Sequence, residues 1–330
     1  MENWFSKLQK NYYIHIISTL LYFIFIIIIY CFTRHLNNDV FRDDIFIALI
    51  IGVLLFYSGT YILNIYQPVV GGLQQLTGLL YIQCNPSLLI SYIEPVIRLA
   101  EKDKVHLYAK TTLKLRLKYL MALSYLYLGE AEKSLPYCND LRVYIDYEHN
   151  LSNRLSYYSC IISTYLYLQD FVNARKYVAL YEKELTSKRK VPFKQFEKSL
   201  LTIYKYITET ADTDIDQLIL LYDKLLTALK DIPFIHIKMQ VYWQLSQLYA
   251  KKNDKEHQLS LLQEIVKYGN GLDIKQRAQI VLQEHQVDIP DSEQKNPHYT
   301  LKPSLHTAYA LLALSFLPPL IILIKVLVCI

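Results

Sequence analysis

The chain has 330 residues, 52% of them hydrophobic and 20% charged, with a formal net charge of +5 at pH 7. Its apolar residues gather at the two ends, which points to membrane spans flanking a soluble region rather than to one uniform globular domain. A charge of +5 spread over the whole length leaves no basic face, so no nucleic-acid partner is expected.

Tyr13 to Phe32 holds no Asp, Glu, Lys or Arg. At about 1.5 Å per residue it matches a hydrocarbon core about 30 Å thick, and it predicts a first transmembrane helix. A cleaved signal peptide is the competing reading. The apolar run is too long for an h-region, however, and no small-x-small cleavage site follows before "CFTRHLNNDVFRDD". Ile45 to Tyr66 is equally free of charge and predicts a second span. Lys7, Lys10 and the amino terminus precede the first span, and the loop after it carries only Arg34 and Arg42. The positive-inside rule therefore puts the amino terminus and the central region in the cytoplasm, with the short loop outside.

From Ile45 to Ile93 there is no acidic or basic side chain, yet the second half of this stretch is too polar to span. Either residues 67–93 lie against the membrane surface or they are buried beneath later helices. From there on apolar residues recur at intervals of three and four, and glycine is scarce, so the central region reads as helix throughout. "ALSYLYLGEAEKSLPYC", residues 122–138, then poses a question of repetition. Tyr125 with Gly129 reappears as Tyr165 with Gln169 and as Tyr249 with Asn253; weaker copies centre on Tyr81 and Tyr206. The five tyrosines are 44, 40, 41 and 43 residues apart, which is an internal repeat.

In the second copy the recurring positions are Lys118, Met121, Ala122, Tyr125, Gly129, Ser134 and Cys138. In the third they are Tyr158, Ile161, Ile162, Tyr165, Gln169, Ala174 and Val178, and in the fifth Tyr242, Leu245, Ser246, Tyr249, Asn253, Gln258 and Leu262. This pattern of large residue, Leu, small residue, Tyr, turn and small residue resembles the tetratricopeptide repeat. The resemblance covers about Gly72 to Tyr268, with a capping helix from Asp273. The period exceeds the family's usual spacing of about 34. Ile162 is not small, and Pro95 and Pro136 fall inside second helices, where each is expected to cause a kink. The units are thus tetratricopeptide-like (TPR-like).

The resemblance implies an all-α fold, an α-solenoid of about five helical hairpins whose first helices line a concave groove for a protein or peptide segment. Tyr81, Tyr125, Gly129, Tyr165, Ala174, Tyr206 and Tyr249 take the packing roles. Leu115, Lys118, Tyr157, Tyr158, Lys238 and Tyr242 lie on or beside the groove side, where rings and lysines would suit an extended peptide carrying carboxylates.

Little in the chain suggests chemistry. "DTDID" from Asp212 has alternating carboxylates like an EF-hand loop, but Gln217 stands where glycine is needed; a turn whose aspartates cap the next helix is the better reading. His106, His149, His236, His257 and His285 are never at metal-site spacing. No nucleotide-binding or nucleophile motif occurs, so neither a cofactor, a metal nor an enzymatic activity is expected. Cys31, Cys84, Cys138, Cys160 and Cys329 form no CxxC and read as small buried hydrophobes in a reducing compartment. The basic cluster "SKRKVPFK", Ser187 to Lys194, reads as a solvated loop or a site of attraction to anionic lipid or an acidic partner. The chain holds thirty tyrosines, read first as core and otherwise as a groove lining. Residue usage rich in Ile, Lys, Tyr and Asn suggests an AT-rich bacterial genome.

Tyr309 to Ile330 predicts a third span, interrupted by Pro318 and Pro319 and carrying Lys325 near its end. The expected organisation is a membrane anchor over 1–68, a repeat domain over 69–290, a linker over 291–308 and a final transmembrane helix over 309–330. The function this suggests is that of a membrane-anchored adaptor or scaffold that recruits a protein partner at the cytoplasmic face. The alternative is a membrane sensor or transport-complex component, regulated by its repeats.

Overall fold

A computed structural model describes residues 2–36, 42–102, 110–187, 191, 193–210, 214–293 and 303–319. The expectations placed on His106, the centre of the basic cluster, Asp212, Lys325 and Cys329 lie outside the described residues, as does the end of the third predicted span. No strand occurs among the described residues. The chain divides into two compact units, residues 1–75 with 298–330 and residues 76–297.

In the first unit α1 (Glu2–Leu36) packs against α2 (Arg42–Tyr61), and α14 (Pro303–Ser315) packs on α2. Among the described residues two segments are long and apolar enough to cross a membrane, Lys10–Cys31 and Phe46–Tyr81, and the apolar helix Ala308–Pro319 is shorter. Aliphatic side chains stay on the outside of α1, with Leu21 62% and Ile28 61% exposed. Polar groups turn inward instead: His15 is 2% exposed and its Nδ1 lies 2.9 Å from Thr60 Oγ1. Close approach of α14 depends on Gly59, where an added Cβ would lie 2.8 Å from Leu312 Cγ. Tyr22 stacks on Phe56 at 4.2 Å in the same core.

The second unit is a row of helices packed in neighbouring pairs: α5 (Lys110–Tyr127) on α6 (Ala131–Tyr144), α7 (Leu151–Tyr167) on α8 (Phe171–Leu185), α9 (Lys194–Glu209) on α10 (Ile215–Ala228), and α11 (Ile235–Lys251) on α12 (Lys255–Tyr268). Each pair also packs on the next, and α13 (Asp273–Glu284) closes the row against α12. The end of α3 (Gln67–Tyr81) leads through a short turn into α4 (Pro86–Lys102), which packs on α5. Leu76, Leu80, Leu89 and Ile93 are all 0% exposed, so the uncharged stretch following the second predicted span, which ends at Tyr66, contributes core side chains.

The recurring tyrosines have equivalent surroundings. Tyr125 stacks on Tyr137 at 5.8 Å and Tyr165 on Tyr177 at 5.7 Å, each pairing a first helix with the residue twelve further on. Tyr249 stacks instead on His257 at 5.0 Å. Four residues after each tyrosine the backbone turns left-handed, at Gly129 (φ 74°), Gln169 (φ 58°) and Asn253 (φ 58°). In all three the next amide then donates back to the tyrosine carbonyl: Glu130 at 2.9 Å, Asp170 at 2.9 Å and Asp254 at 3.0 Å. This bond spans the turn and satisfies a carbonyl that the helix end would leave free. Asp170 and Asp254 then cap the second helix, accepting from the amides of Asn173 at 3.1 Å and His257 at 3.2 Å. Such caps contribute about 1 kcal/mol each.

The copies around Tyr81 and Tyr206 deviate. After Tyr81 the left-handed residue is Cys84 (φ 52°), one position early. Tyr206 closes its turn with a side chain, its hydroxyl accepting from the Asp214 amide at 2.9 Å. Asp214 caps α10 by accepting from Asp216 N, the role expected of an aspartate in that segment. Ala174 is 0% exposed at its packing position. Pro95 and Pro136 sit within α4 and α6, which run on across them without a break.

Candidate functional site

The inward side of the second unit borders a half-open cavity of about 490 Å³. Most of its wall comes from α5, α7, α9, α11 and α13, the odd-numbered helices of the row, with Tyr81 at the end of α3, Phe171 of α8, and Tyr222 and Leu225 of α10. From α7 the lining residues include Ser152, Ser156, Ser159 and Ser163, a spacing of four, three and four that brings all four onto one helical face. From α9 they include Phe196, Leu200, Ile203 and Ile207, the same periodicity in apolar form. Tyr119 and Tyr127 come from α5, and Trp243 and Gln240 from α11. The volume lies in the range of ordinary small-ligand pockets, about 300–1,000 Å³.

Polar contacts tie the first pair of helices to the last and shut one side of this space. The Tyr81 ring stacks on His236 at 4.4 Å. Asn270 Nδ2 donates to the Gln83 carbonyl at 2.7 Å, and the Gly271 amide donates to the Cys84 carbonyl at 2.9 Å. His236 is 1% exposed, with Nδ1 3.3 Å from the Tyr81 carbonyl. Because a carbonyl only accepts, Nδ1 carries the proton. Burial pushes the imidazole down to about 3, so it is neutral at physiological pH.

The electrostatics of the lining are simple. Asp273 and Arg277 pair with each other at 2.7 Å, and Arg277 also donates to Tyr167 OH at 3.3 Å. The remaining acid is Glu197, which is 7% exposed. Its Oε2 accepts from the Tyr181 hydroxyl, and no cation pairs with it among the described residues. Burial raises its carboxyl to about 7, with the Tyr181 bond acting in the opposite direction. Nearby, Tyr204 OH bridges Ser159 Oγ at 2.7 Å and Ser163 Oγ at 3.0 Å, and burial lifts its phenol to about 12.

The six groove residues expected from the sequence are placed differently. None of Leu115, Lys118, Tyr157, Tyr158, Lys238 and Tyr242 lines the cavity. Leu115, Tyr157 and Tyr158 are buried at 5%, 0% and 4% exposure, in the packing between helices. Lys118 pairs with Asp140, and Lys238 lies over the Tyr242 ring at 5.3 Å. The displacement has one physical cause. Lys118, Tyr157, Tyr158, Lys238 and Tyr242 are each one residue from a lining residue (Tyr119, Ser156, Ser159, Ile237 and Trp243), and one residue turns a helix by about 100°. Of the packing tyrosines, only Tyr81 also reaches the cavity wall.

Sequence reasoning missed Glu197, Tyr204 and the serine row. The serines were legible as small polar residues at helical spacing. Glu197 carried a signal too, since it shares a stripe with Leu201, Tyr204 and Thr208, all buried. A carboxyl on the apolar stripe of α9 marks an interior charge. Among the described residues no group of three His, Cys, Asp or Glu side chains is arranged to hold a metal ion. No protein-family model, curated protein or solved structure matches the chain significantly.

Proposed function

We propose that this chain is a membrane-anchored, TPR-like adaptor. In this reading the second unit is an α-solenoid of helical hairpins that holds a segment of a partner, and the role is non-catalytic. One observation carries the reading: α5, α7, α9 and α11, the first helices of successive pairs, all contribute side chains to one cavity, as the concave side of a repeat stack would. The equivalent turns after Tyr125, Tyr165 and Tyr249 support the repeat. The two long apolar segments and the exposed aliphatic surface of α1 support the anchor. The buried free thiols of Cys84, Cys138 and Cys160 agree with a reducing cytoplasmic location.

The test is a photo-reactive benzophenone side chain placed at Ser156, inside the cavity, and separately at Val172, which is 81% exposed, in the full chain in its native membrane. Adducts with a discrete partner are expected from position 156 and not from 172. Equal labelling from both, or none from 156, would remove the cavity from the recruitment role. Reporter fusions after Glu293 and at Asp39 check the orientation, with a cytoplasmic and an external signal expected respectively.

The second reading, a membrane sensor or transport-complex component, draws on a separate observation. His15 and Thr60 form a buried hydrogen-bonded pair between the two long apolar segments, and ionisable groups within such segments commonly mark a functional site. Adducts that form only with probes in α1 or α2 would favour it.

A further inference from the structure

We infer that the cavity of the second unit is a site for a protonated amine carried on an apolar body. This deepens the proposed function, since it rests on the cavity being the recruiting site. The walls present rings on several sides, among them Tyr119, Phe196, Tyr204, Phe234 and Trp243. Among the described residues they hold no lysine, and their one arginine is already paired with Asp273. Their histidine is neutral. What remains is one carboxyl, Glu197, at 7% exposure, with a tyrosine hydroxyl on Oε2 and no cation beside it.

A carboxylate without a cation is costly in such surroundings, and an ammonium group brought by a ligand would remove that cost. The aromatic faces favour the same charge, because a ring's negative quadrupole attracts a cation within about 6 Å of its centroid. The serine hydroxyls of α7 and the Gln240 amide supply the few directional hydrogen bonds that such a pocket needs. An anionic ligand meets the opposite situation, with a like charge in the wall and no free base to receive it. The extended carboxylate-bearing peptide expected from the sequence is therefore disfavoured in this space. The same ammonium chemistry could come from a small amine or from the free amino end of a peptide.

The experiment uses the full chain in detergent micelles and follows Trp243, one of two tryptophans in the chain, by fluorescence. The probes are phenethylamine, its neutral counterpart 2-phenylethanol and the anion 3-phenylpropanoate. The dipeptide amide Phe-Leu is added with its amino end either free or acetylated. The amine is expected to bind at least tenfold more tightly than the alcohol, and the anion weakest. Glu197→Gln should abolish the preference for amine over alcohol while leaving alcohol binding within about twofold. Thermal melting of the same variant shows whether it is folded, and Lys238→Ala, outside the cavity, serves as the unaffected control.

Binding of phenethylamine alone assigns a small-molecule source, and preference for the free over the acetylated dipeptide assigns a peptide amino end. Equal binding of amine and alcohol, or a preference for amine that survives in Glu197→Gln, would overturn the inference while the cavity remained a binding site. Binding of none of the probes would overturn both the inference and the cavity's recruiting role.

Discussion

Glu197→Gln is expected to stabilise the second unit at pH 8 by up to about 3 kcal/mol and to leave it almost unchanged at pH 4.5. The folded carboxyl titrates at about 7, above its ordinary value of 4.5, because burial penalises the charged form. Below 4.5 the group is protonated in both folded and unfolded chains and costs nothing extra. As pH rises from 4.5 to 7, the unfolded chain releases its proton first, so the folded state loses ground steadily. Above 7 both are ionised and the full cost is present. A raised carboxyl thus contributes stability at low pH that disappears as pH passes through the folded value. The difference converts at about 1.4 kcal/mol per pH unit, giving about 3 kcal/mol in all.

The titratable neighbour facing Glu197 from α8 is Tyr181, whose own hydroxyl is held well above its usual range by burial and by Glu197. On its own helix the neighbour is Tyr204, whose ring meets that of Tyr181 edge-on at 6.2 Å. Neither ionises between pH 4 and 8. Buried His236, held down to about 3, does act in this window with the opposite sign, losing stability as pH falls below 6.5, and it cancels in the difference between wild type and Glu197→Gln. Glutamine keeps an oxygen to accept from Tyr181 and has no charge to bury. Thermal melts of wild type and variant at pH 4.5 and pH 8, read by Trp243 fluorescence, check this. A gain from Glu197→Gln that was the same at pH 4.5 and pH 8 would mean that the carboxyl is better solvated than its burial indicates. If an amine occupies the cavity, the penalty shrinks, and the wild type should regain stability at pH 8 on adding phenethylamine.

How far these features were legible in the sequence depends on whether local or distant contacts decide them. The turns after Tyr125, Tyr165 and Tyr249 are local events. A residue that tolerates a left-handed backbone, a following cap and a stacking ring all lie within a dozen positions, so spacing reveals them. The turn after Tyr81 shows the limit: there the left-handed residue is Cys84, which no local rule would select, and its neighbours are tied to Gly271 and Asn270. Those contacts span almost the whole repeat region and leave no periodic trace. The two apolar segments were legible from composition alone. The inward fold of His15 onto Thr60 needed the pairing of α1 with α2, which composition does not specify.

The orientation of each helix about its own axis was the least legible quantity. A stripe of apolar residues on a helix buried on several sides does not say which part of the stripe meets a neighbour and which part meets a space. Helix α7 is the clearest case: Leu155, Tyr157, Tyr158, Ile161 and Ile162 are all buried away from the cavity, and along the body of the helix the small serines, rather than these large side chains, turn to it. Large side chains close gaps between helices, and small ones leave room. The cavity therefore lies where the sequence is least conspicuous.

Adjacent residues of α7 consequently provide the second large expected effect. Tyr157→Ala should destabilise the second unit by about 3–5 kcal/mol, the range for emptying a fully buried aromatic site. Tyr157 is 0% exposed, its ring lies 5.2 Å from that of Tyr119, and its hydroxyl donates to Glu148 Oε2 at 3.4 Å. Glu148 also accepts from Asn153 Nδ2 at 3.0 Å and from the Asn150 amide at 2.9 Å, so the lost ring adjoins the network that organises the turn into α7. Tyr157→Phe separates the two contributions: it keeps the ring and should cost only about 1 kcal/mol for the hydroxyl. Ser156→Ala, one position away, should change stability by no more than about 0.5 kcal/mol, because that side chain borders the cavity and bonds only within its own helix, to the Ser152 carbonyl at 2.9 Å. Urea denaturation of the full chain in micelles, followed by Trp243 fluorescence, gives all three values. A Tyr157→Ala variant as stable as Ser156→Ala would show that position 157 faces open space and would return it to the groove. The expected order, with alanine at 157 far the most damaging, leaves the serine row as the face of α7 on which substitutions change binding without unfolding the protein.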